Sequence, residues 1–243
     1  MWWRGKTVKG YCIICDTKTK FLIKGKWLRD NFVCQKCNSI PRQRALIYIL
    51  KMLYPNYKEL QIHESSPGGP ASEKLLAECP DFTFSFYFPD VPPGEYKDNM
   101  RCENLEELTF PDNSFDIFIT QDVLEHVLHP DKAFKEIARV LKPNGAHIFT
   151  VPLYHTQKTT FRVLPTNEGL KYLTEKVFHS NPIDPKGSLV ITDWGYDLPH
   201  YIFEHSGMYT TIFNIRNREL GLDGEFLDVL VSRKIKCFER KEK

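Results

Sequence analysis

Apolar residues fall in short dense runs divided by proline, glycine and polar clusters, so the chain reads as alternating buried strands and amphipathic helices. Ser114-Phe115-Asp116 leads into Ile117-Phe118-Ile119, a buried strand by its β-branched and aromatic residues, and the strand closes in polar Thr120-Gln121-Asp122. Two helical segments follow. Pro130 sits in the first turn of the second, whose apolar positions Ala133, Phe134, Ile137, Ala138 and Leu141 recur at helical spacing, and Lys142-Pro143-Asn144-Gly145 stops it. Ala146 to Val151 is a second buried strand. A strand, crossover helix and strand of this length specify a parallel pair, and such sheets bind ligands just beyond the carboxyl ends of their strands. Gln121, Asp122 and Pro152 fall at that edge.

Upstream, Pro41 opens a helix through Ala45 to Leu50 that Tyr54-Pro55-Asn56 ends. Leu60-Gln61-Ile62 starts a strand, His63 to Pro70 is a polar break, and Ala71 to Glu78 forms a short helix. Phe82 to Phe88 is a strongly aromatic strand, Asp90 to Gly94 a turn, and Met100 to Glu103 a further short strand. Residues 153–197 mix aromatic, proline and polar residues without regular periodicity and read as an inserted cap over the strand edge. Pro199 to His205 is a helix closed by Gly207, and Tyr209 to Ile215 and Phe226 to Ser232 supply two β-rich runs.

The formal net charge of +2 conceals an uneven distribution. Residues 1–58 carry thirteen lysines or arginines against Asp16 and Asp30, and the remainder is acidic, which implies two differently charged modules. Cys12-x2-Cys15, eighteen intervening residues, then Cys34-x2-Cys37 has the spacing of a four-cysteine zinc site, with Phe21, Leu22, Ile23 and Trp27 between the pairs suiting a small ribbon. Residues 1–40 are therefore read as a zinc-ribbon module and 41–243 as the main domain. Cys79, Cys102 and Cys237 are scattered singly and read as ordinary buried thiols. The chain has no 18-residue apolar run, which predicts a soluble, cytoplasmic protein with no membrane partner.

The phrases Ser114-Phe115-Asp116, Val123-Leu124-Glu125-His126-Val127 and Arg139 to Gly145, followed by a strand, resemble the second half of class I S-adenosylmethionine-dependent methyltransferases of the type 11 kind. The resemblance implies an α/β, Rossmann-like domain: a seven-stranded, mostly parallel sheet whose last strand runs antiparallel. It implies S-adenosylmethionine as cofactor, in addition to the Zn2+ that the cysteine spacing predicts. Its glycine-rich loop corresponds to Glu64, Ser65, Gly68 and Gly69, although His63 to Ser66 depart from the usual acidic residue and alternating glycines. Asp90 stands in for the carboxylate that accepts the ribose hydroxyls. Asn104 and Leu105 take the place of the adenine-binding pair, and Gln121, Asp122 and Val123 lie near the methionine part. Glu125 and His126 belong to the same phrase, and His126 reads as a hydrogen-bonded structural residue.

A hydroxyl acceptor benefits from a general base, and His155, just beyond the fifth strand, is the first choice by position; His179 and His205 are further candidates. Tyr154, Arg162, Trp194 and Asp197 are candidates for the acceptor pocket. The proline-rich, aromatic cap favours a small-molecule or sugar-like acceptor. RNA is the alternative partner, guided by Lys18, Lys20, Lys24, Lys26 and Arg29 of the basic module. A non-catalytic zinc adaptor on a degenerate methyltransferase fold is the third reading.

Overall fold

Residues 6–155, 158–181 and 183–235 are described by the computed structural model. The chain opens with an antiparallel ribbon of β1 (Thr7–Cys12), β2 (Thr17–Ile23) and β3 (Phe32–Cys34), with the short helix α1 (Leu28–Asn31) between the last two. Helix α2 (Pro41–Leu53) leads to β4 (Ile62–Ser65), α3 (Pro70–Glu78) and β5 (Phe82–Ser85). Then come β6 (Phe115–Gln121), α4 (Pro130–Val140) and β7 (Leu141–Thr150). Helix α5 (Leu198–Ser206), β8 (Tyr209–Phe213) and β9 (Val229–Arg233) complete the domain.

The central sheet has the order β8-β9-β7-β6-β4-β5 among the described residues. The β5-β4-β6-β7 pairs are parallel, and β9 runs antiparallel to both β7 and β8. Six strands are thus formed where seven were expected. The seventh position, beyond β5, is occupied by one parallel bridge, Phe86 to Cys102, closed by Phe86 N to Arg101 O and Glu103 N to Phe86 O, both at 2.9 Å. The aromatic run departs from regular pairing after Ser85, so this edge never lengthens into a ladder.

Three further differences from the sequence reading have local causes. Strand β4 passes straight through His63 and Glu64, expected to be a polar break, because both side chains find buried partners. His63 lies 2.9 Å from Thr83 Oγ1 and 3.0 Å from Ser85 Oγ, and burial pulls its imidazole down to about 3, so the ring is neutral. The first of the two helical segments after β6 is a single 3-10 turn, Leu124–His126. Helix α4 ends at Val140, and β7 takes up the chain at once from Leu141, through the turn residues 142–145.

Alternation along the strands divides the core into two layers. Ile117 and Ile119 face α2, α3 and the ribbon, whereas Phe118 and Phe149 face α4 and α5. Phe21, Phe32, Cys12 and Cys34 share the first layer with Ile62, Ile148 and Val231, so ribbon and sheet are packed around one core. Arg44 of α2 fixes the junction. Its fully buried guanidinium donates to the carbonyls of Phe32 and Gly221, at 2.6 and 2.7 Å from Nη2, and to Ser39. At Gly10 the backbone of β1 approaches so closely that a Cβ would lie 2.0 Å from the Glu219 carbonyl oxygen.

The described part of 153–197 forms short pieces outside the central sheet. Leu153–Tyr154 and Thr160–Phe161 flank Thr192–Gly195, and two hairpins follow the chain outward. No described helix is long and apolar enough to cross a membrane. Cys79 and Cys102 are buried, and Cys237 lies outside the described residues.

Candidate functional site

The carboxyl ends of β4, β5 and β6 open onto a cavity of about 930 Å³, at the upper end of the size range of small-molecule sites. Ser65 to Gly68 form one wall, Asn104 to Glu106 a second, and Gln121 to Val123 the floor. Residues of the insertion, among them Tyr154, His179, Ser180 and Asn181, close the far side. The ribbon contributes Trp27 and Arg29, and α2 contributes Arg42 and Gln43.

Behind the floor, Glu64 is fully buried at the end of β4 and accepts hydrogen bonds through Oε1 from Gln121 Nε2 at 2.7 Å and Ser72 Oγ at 3.0 Å. Burial pushes its carboxyl up to about 7, against the opposing effect of those two donors. Glu64 Oε2 and Gln121 Oε1 have no hydrogen-bond partner among the described residues. Of this pair Gln121 reaches the cavity wall, whereas Glu64, expected to touch the cofactor, is buried off it and supports the floor through Gln121.

The loop after β4 is shaped for close approach. Ser66 adopts φ +57°, in the left-handed region, and Gly69 adopts φ +74° with ψ −169°, a region essentially reserved for glycine. Gln43 of α2 ties the loop down by donating from Nε2 to Gly68 O at 3.2 Å while its Oε1 accepts from Ile40 N. Gly69 itself caps α3 and stays off the cavity wall; Gly68 reaches it.

Asp122 sits at the end of β6 with φ +53°, and its carboxylate is clasped by Arg29 Nη2 at 2.9 and 2.7 Å, with Arg42 Nε at 3.4 Å and Thr150 Oγ1 at 2.9 Å. Burial alone would raise its pKa, but the charges of Arg29 and Arg42 outweigh it and hold the carboxyl below its ordinary value. Asn104 Oδ1 accepts from Glu106 N at 3.0 Å, and Glu106 Oε1 accepts from Leu128 N and His129 N, so the 104–106 loop is latched to the segment after β6.

Several candidates are placed elsewhere. Asp90 is exposed, pairs with Lys97 at 2.7 Å, and stands away from the cavity wall; the end of β5 presents Phe86 and Tyr87 there instead. His155 also misses the wall. Its Nε2 is 2.6 Å from the buried Asp228 and its ring lies against Tyr196, while its neighbour Tyr154 takes the cavity side, as adjacent residues of extended chain point apart. Arg162 pairs with Asp193, Trp194 is fully buried, Asp197 accepts from Thr159, and His205 packs on Tyr201. None of these four lines the cavity.

The sequence reading missed Arg42, Gln43, Ser72 and Phe226, and placed Arg29 among phosphate-attracting residues. Arg29 is buried and committed to Asp122. Its signal was the short α1 between ribbon strands, whose reach toward the sheet edge is a tertiary fact. Lys18, Lys20, Lys24 and Lys26 are exposed and stand off the cavity wall.

In the ribbon, the ligand atoms of Cys12, Cys15, Cys34 and Cys37 lie within 4.8 Å of one another. The Cys12–Cys37 and Cys15–Cys34 sulfurs are 3.7 and 3.9 Å apart. Sulfurs 2.3 Å from a tetrahedral zinc are about 3.8 Å apart, so the four thiols fit that ion. Burial pulls the neighbouring Arg44 guanidinium down to about 10, and negative charge on these sulfurs acts in the opposite direction.

Comparison with known proteins bears on this edge of the sheet. The curated ubiquinone/menaquinone biosynthesis C-methyltransferase UbiE of Psychromonas ingrahamii is 37% identical over 90 residues, 30% of this chain and 36% of that protein. The UbiE of Pasteurella multocida is 30% identical over 151 residues, 55% of this chain and 56% of that protein. The chain thus spans about half the length, or less, of these curated relatives. Among solved structures, the Burkholderia thailandensis 1,6-didemethyltoxoflavin-N1-methyltransferase with bound 1,6-didemethyltoxoflavin and S-adenosylhomocysteine is similar at a TM-score of 0.47 and 14% identity, covering 80% of this chain and 79% of that one. Residues 89–149, which supply Asn104, Leu105, Gln121 and Asp122 to the cavity, match the family described as a methyltransferase domain.

Proposed function

We propose that the chain transfers a methyl group from S-adenosylmethionine to a small-molecule or sugar-like acceptor, by O- or N-methylation. The observation that carries this reading is the meeting of Ser65 and Gly68 with Asn104, Leu105 and Gln121 on one cavity, the last three supplied by the segment that matches the methyltransferase-domain family. Gln121, on the cavity floor, suits the donor's methionine part. Asn104 and Leu105 suit its adenine, and Gly68 leaves room for the backbone to pass beside it. The ribose has no free carboxylate at the end of β5, and the aromatic edges of Phe86 and Tyr87 stand there.

Bound S-adenosylmethionine supplies a sulfonium methyl with an activated leaving group, so the work left to the protein is positioning. Holding donor and acceptor in a near-attack arrangement is worth on the order of 7 kcal/mol or more. Tyr154, Ser180, Asn181 and Ser188 offer the acceptor hydrogen-bonding groups on the insertion side. The exposed lysines of the ribbon stand apart from this cavity and Arg29 is neutralised by Asp122, which favours the small acceptor over RNA. A structural zinc on Cys12, Cys15, Cys34 and Cys37 would hold the ribbon that delivers Arg29 to the site.

Incubation of the zinc-loaded protein with radiolabelled methyl donor and a panel of hydroxylated and amino acceptors, with RNA as a parallel arm, tests this reading. Label is expected in a small acceptor. Cofactor binding with no transfer to any acceptor would favour the adaptor, and label in RNA alone would overturn the acceptor class.

A further inference from the structure

Glu125 stands in the 3-10 turn after β6 and is 1% exposed. Neither of its carboxylate oxygens has a hydrogen-bond partner among the described residues. A buried carboxylate left without partners is costly, so this group calls for a cation. Two imidazoles face it. His126 Nε2 lies 3.8 Å and His179 Nδ1 lies 3.6 Å from Glu125 Oε1, too far for hydrogen bonds. They are close to the spacing of atoms that share an ion: two ligands about 2.1 Å from a tetrahedral metal are about 3.4 Å apart. The three ligand atoms lie within 4.8 Å of one another, and the two rings are perpendicular with centroids 5.0 Å apart.

The far side of His126 supports the same reading. Its Nδ1 is 2.8 Å from the Leu189 carbonyl oxygen, so Nδ1 carries the proton and the Nε2 lone pair is left toward Glu125. A ring N–H anchored on a backbone carbonyl, with the other nitrogen left free to ligate, is the usual outer-sphere arrangement of metal-binding histidine. Leu189 belongs to the hairpin that carries His179, and Ile191 N donates to the Glu125 carbonyl oxygen at 2.7 Å, so the insertion is fastened to the sheet edge at this point. Both histidines line the cavity.

We propose that Glu125, His126 and His179 form a second metal site, separate from the four cysteines, that binds a first-row divalent cation with coordination positions open to the cavity. Two imidazoles and one carboxylate select zinc, cobalt, iron or manganese over magnesium and calcium. The ligand for the open positions is an acceptor with adjacent oxygens, a hydroxyl beside a carbonyl, carboxylate or second hydroxyl, which could chelate through both. This role in acceptor binding rests on the methyltransferase reading; the binding of the cation does not.

The test is a Co2+ titration of the full chain with its cysteine site already filled by zinc and any purification tag removed, followed by visible absorption and by metal analysis after dialysis. The wild type is expected to take one further cobalt per chain, with ligand-field bands and no thiolate charge-transfer band. His179→Ala and Glu125→Gln are expected to lose it. His179 is partly exposed on a hairpin, so its variant should keep the wild-type melting temperature, which separates loss of the site from loss of the fold. No cobalt beyond the cysteine site, or equal uptake by His179→Ala, would overturn the proposal. S-adenosylhomocysteine binding measured on the same samples keeps the two readings apart. Cofactor bound without cobalt removes the metal site alone; cobalt bound without cofactor sustains the metal site and removes its role in methyl transfer.

Discussion

Arg29 Nη2 donates to both carboxylate oxygens of Asp122, at 2.9 and 2.7 Å, across 93 residues of sequence. The pair joins the ribbon to the floor of the cavity, and both side chains are largely buried. Removing one partner of such a pair typically costs about 3–5 kcal/mol, because the other charge is left without compensation. Asp122→Ala, which strands Arg29 and Arg42, is expected to lower stability by about that amount in urea unfolding at neutral pH.

The same pair predicts a pH dependence. The Asp122 carboxyl is held below its ordinary value by Arg29 and Arg42 against burial, so the folded state binds its proton less readily than the unfolded chain. Its contribution is present above the unfolded value of about 3.9 and is lost as the pH falls through the folded value. The gap in stability between wild type and Asp122→Ala should therefore be constant from pH 7 to about 5 and narrow only below about pH 4. A gap that narrows between pH 7 and 5 would count against the ion pair.

Glu64 gives the opposite sign. Burial raises its carboxyl to about 7, so the folded state holds the proton over a range in which the unfolded chain has released it. Stability from this group falls as the pH rises from about 4.5 to 7, by on the order of 3 kcal/mol. In Glu64→Gln this slope should disappear, which unfolding curves at pH 5 and pH 8 for both proteins will reveal.

Gly69 takes a backbone conformation that other residues avoid, and a Cβ there would meet Gln43 Nε2 at 2.5 Å. Gly69→Ala is expected to cost about 1–3 kcal/mol and to loosen the Gln43 tie on Gly68. Circular dichroism during urea titration measures the first effect, and weakened binding of S-adenosylhomocysteine reports the second.

The cysteine cluster and the sheet share one hydrophobic layer through Phe21, Phe32 and Ile148. Cys34→Ser is expected to lower the zinc content by one per chain and to lower the melting temperature of a single calorimetric transition. A ribbon that melts separately while the rest keeps its wild-type transition would contradict the shared core.

The regular elements of the main domain were legible because their signals are local. Proline at the starts of α2 and α4, helical spacing in α4 and the apolar run of β6 each specify an element without help from the rest of the chain. The cysteine spacing foretold the cluster for the same reason. What escaped depends on partners distant in sequence. His63 and Glu64 look like a break until Thr83, Ser85, Ser72 and Gln121 supply their hydrogen bonds. Arg29 looks like one more basic residue of the ribbon until α1 carries it to Asp122. His155 was chosen by its distance from a strand end, and side-chain direction decided otherwise.

Binding of S-adenosylhomocysteine to zinc-loaded protein, followed by isothermal calorimetry, tests the central claim most directly. One molecule per chain is expected to bind. At a hundred times its dissociation constant it should stabilise the fold by about 2.7 kcal/mol, a rise in melting temperature of roughly 5–10 °C for a chain of this size. Asn104→Ala should weaken binding, and His155→Ala, which lies off the cavity wall, should leave it unchanged. The absence of both binding heat and a melting shift at millimolar ligand would contradict the claim that this cavity is a cofactor site.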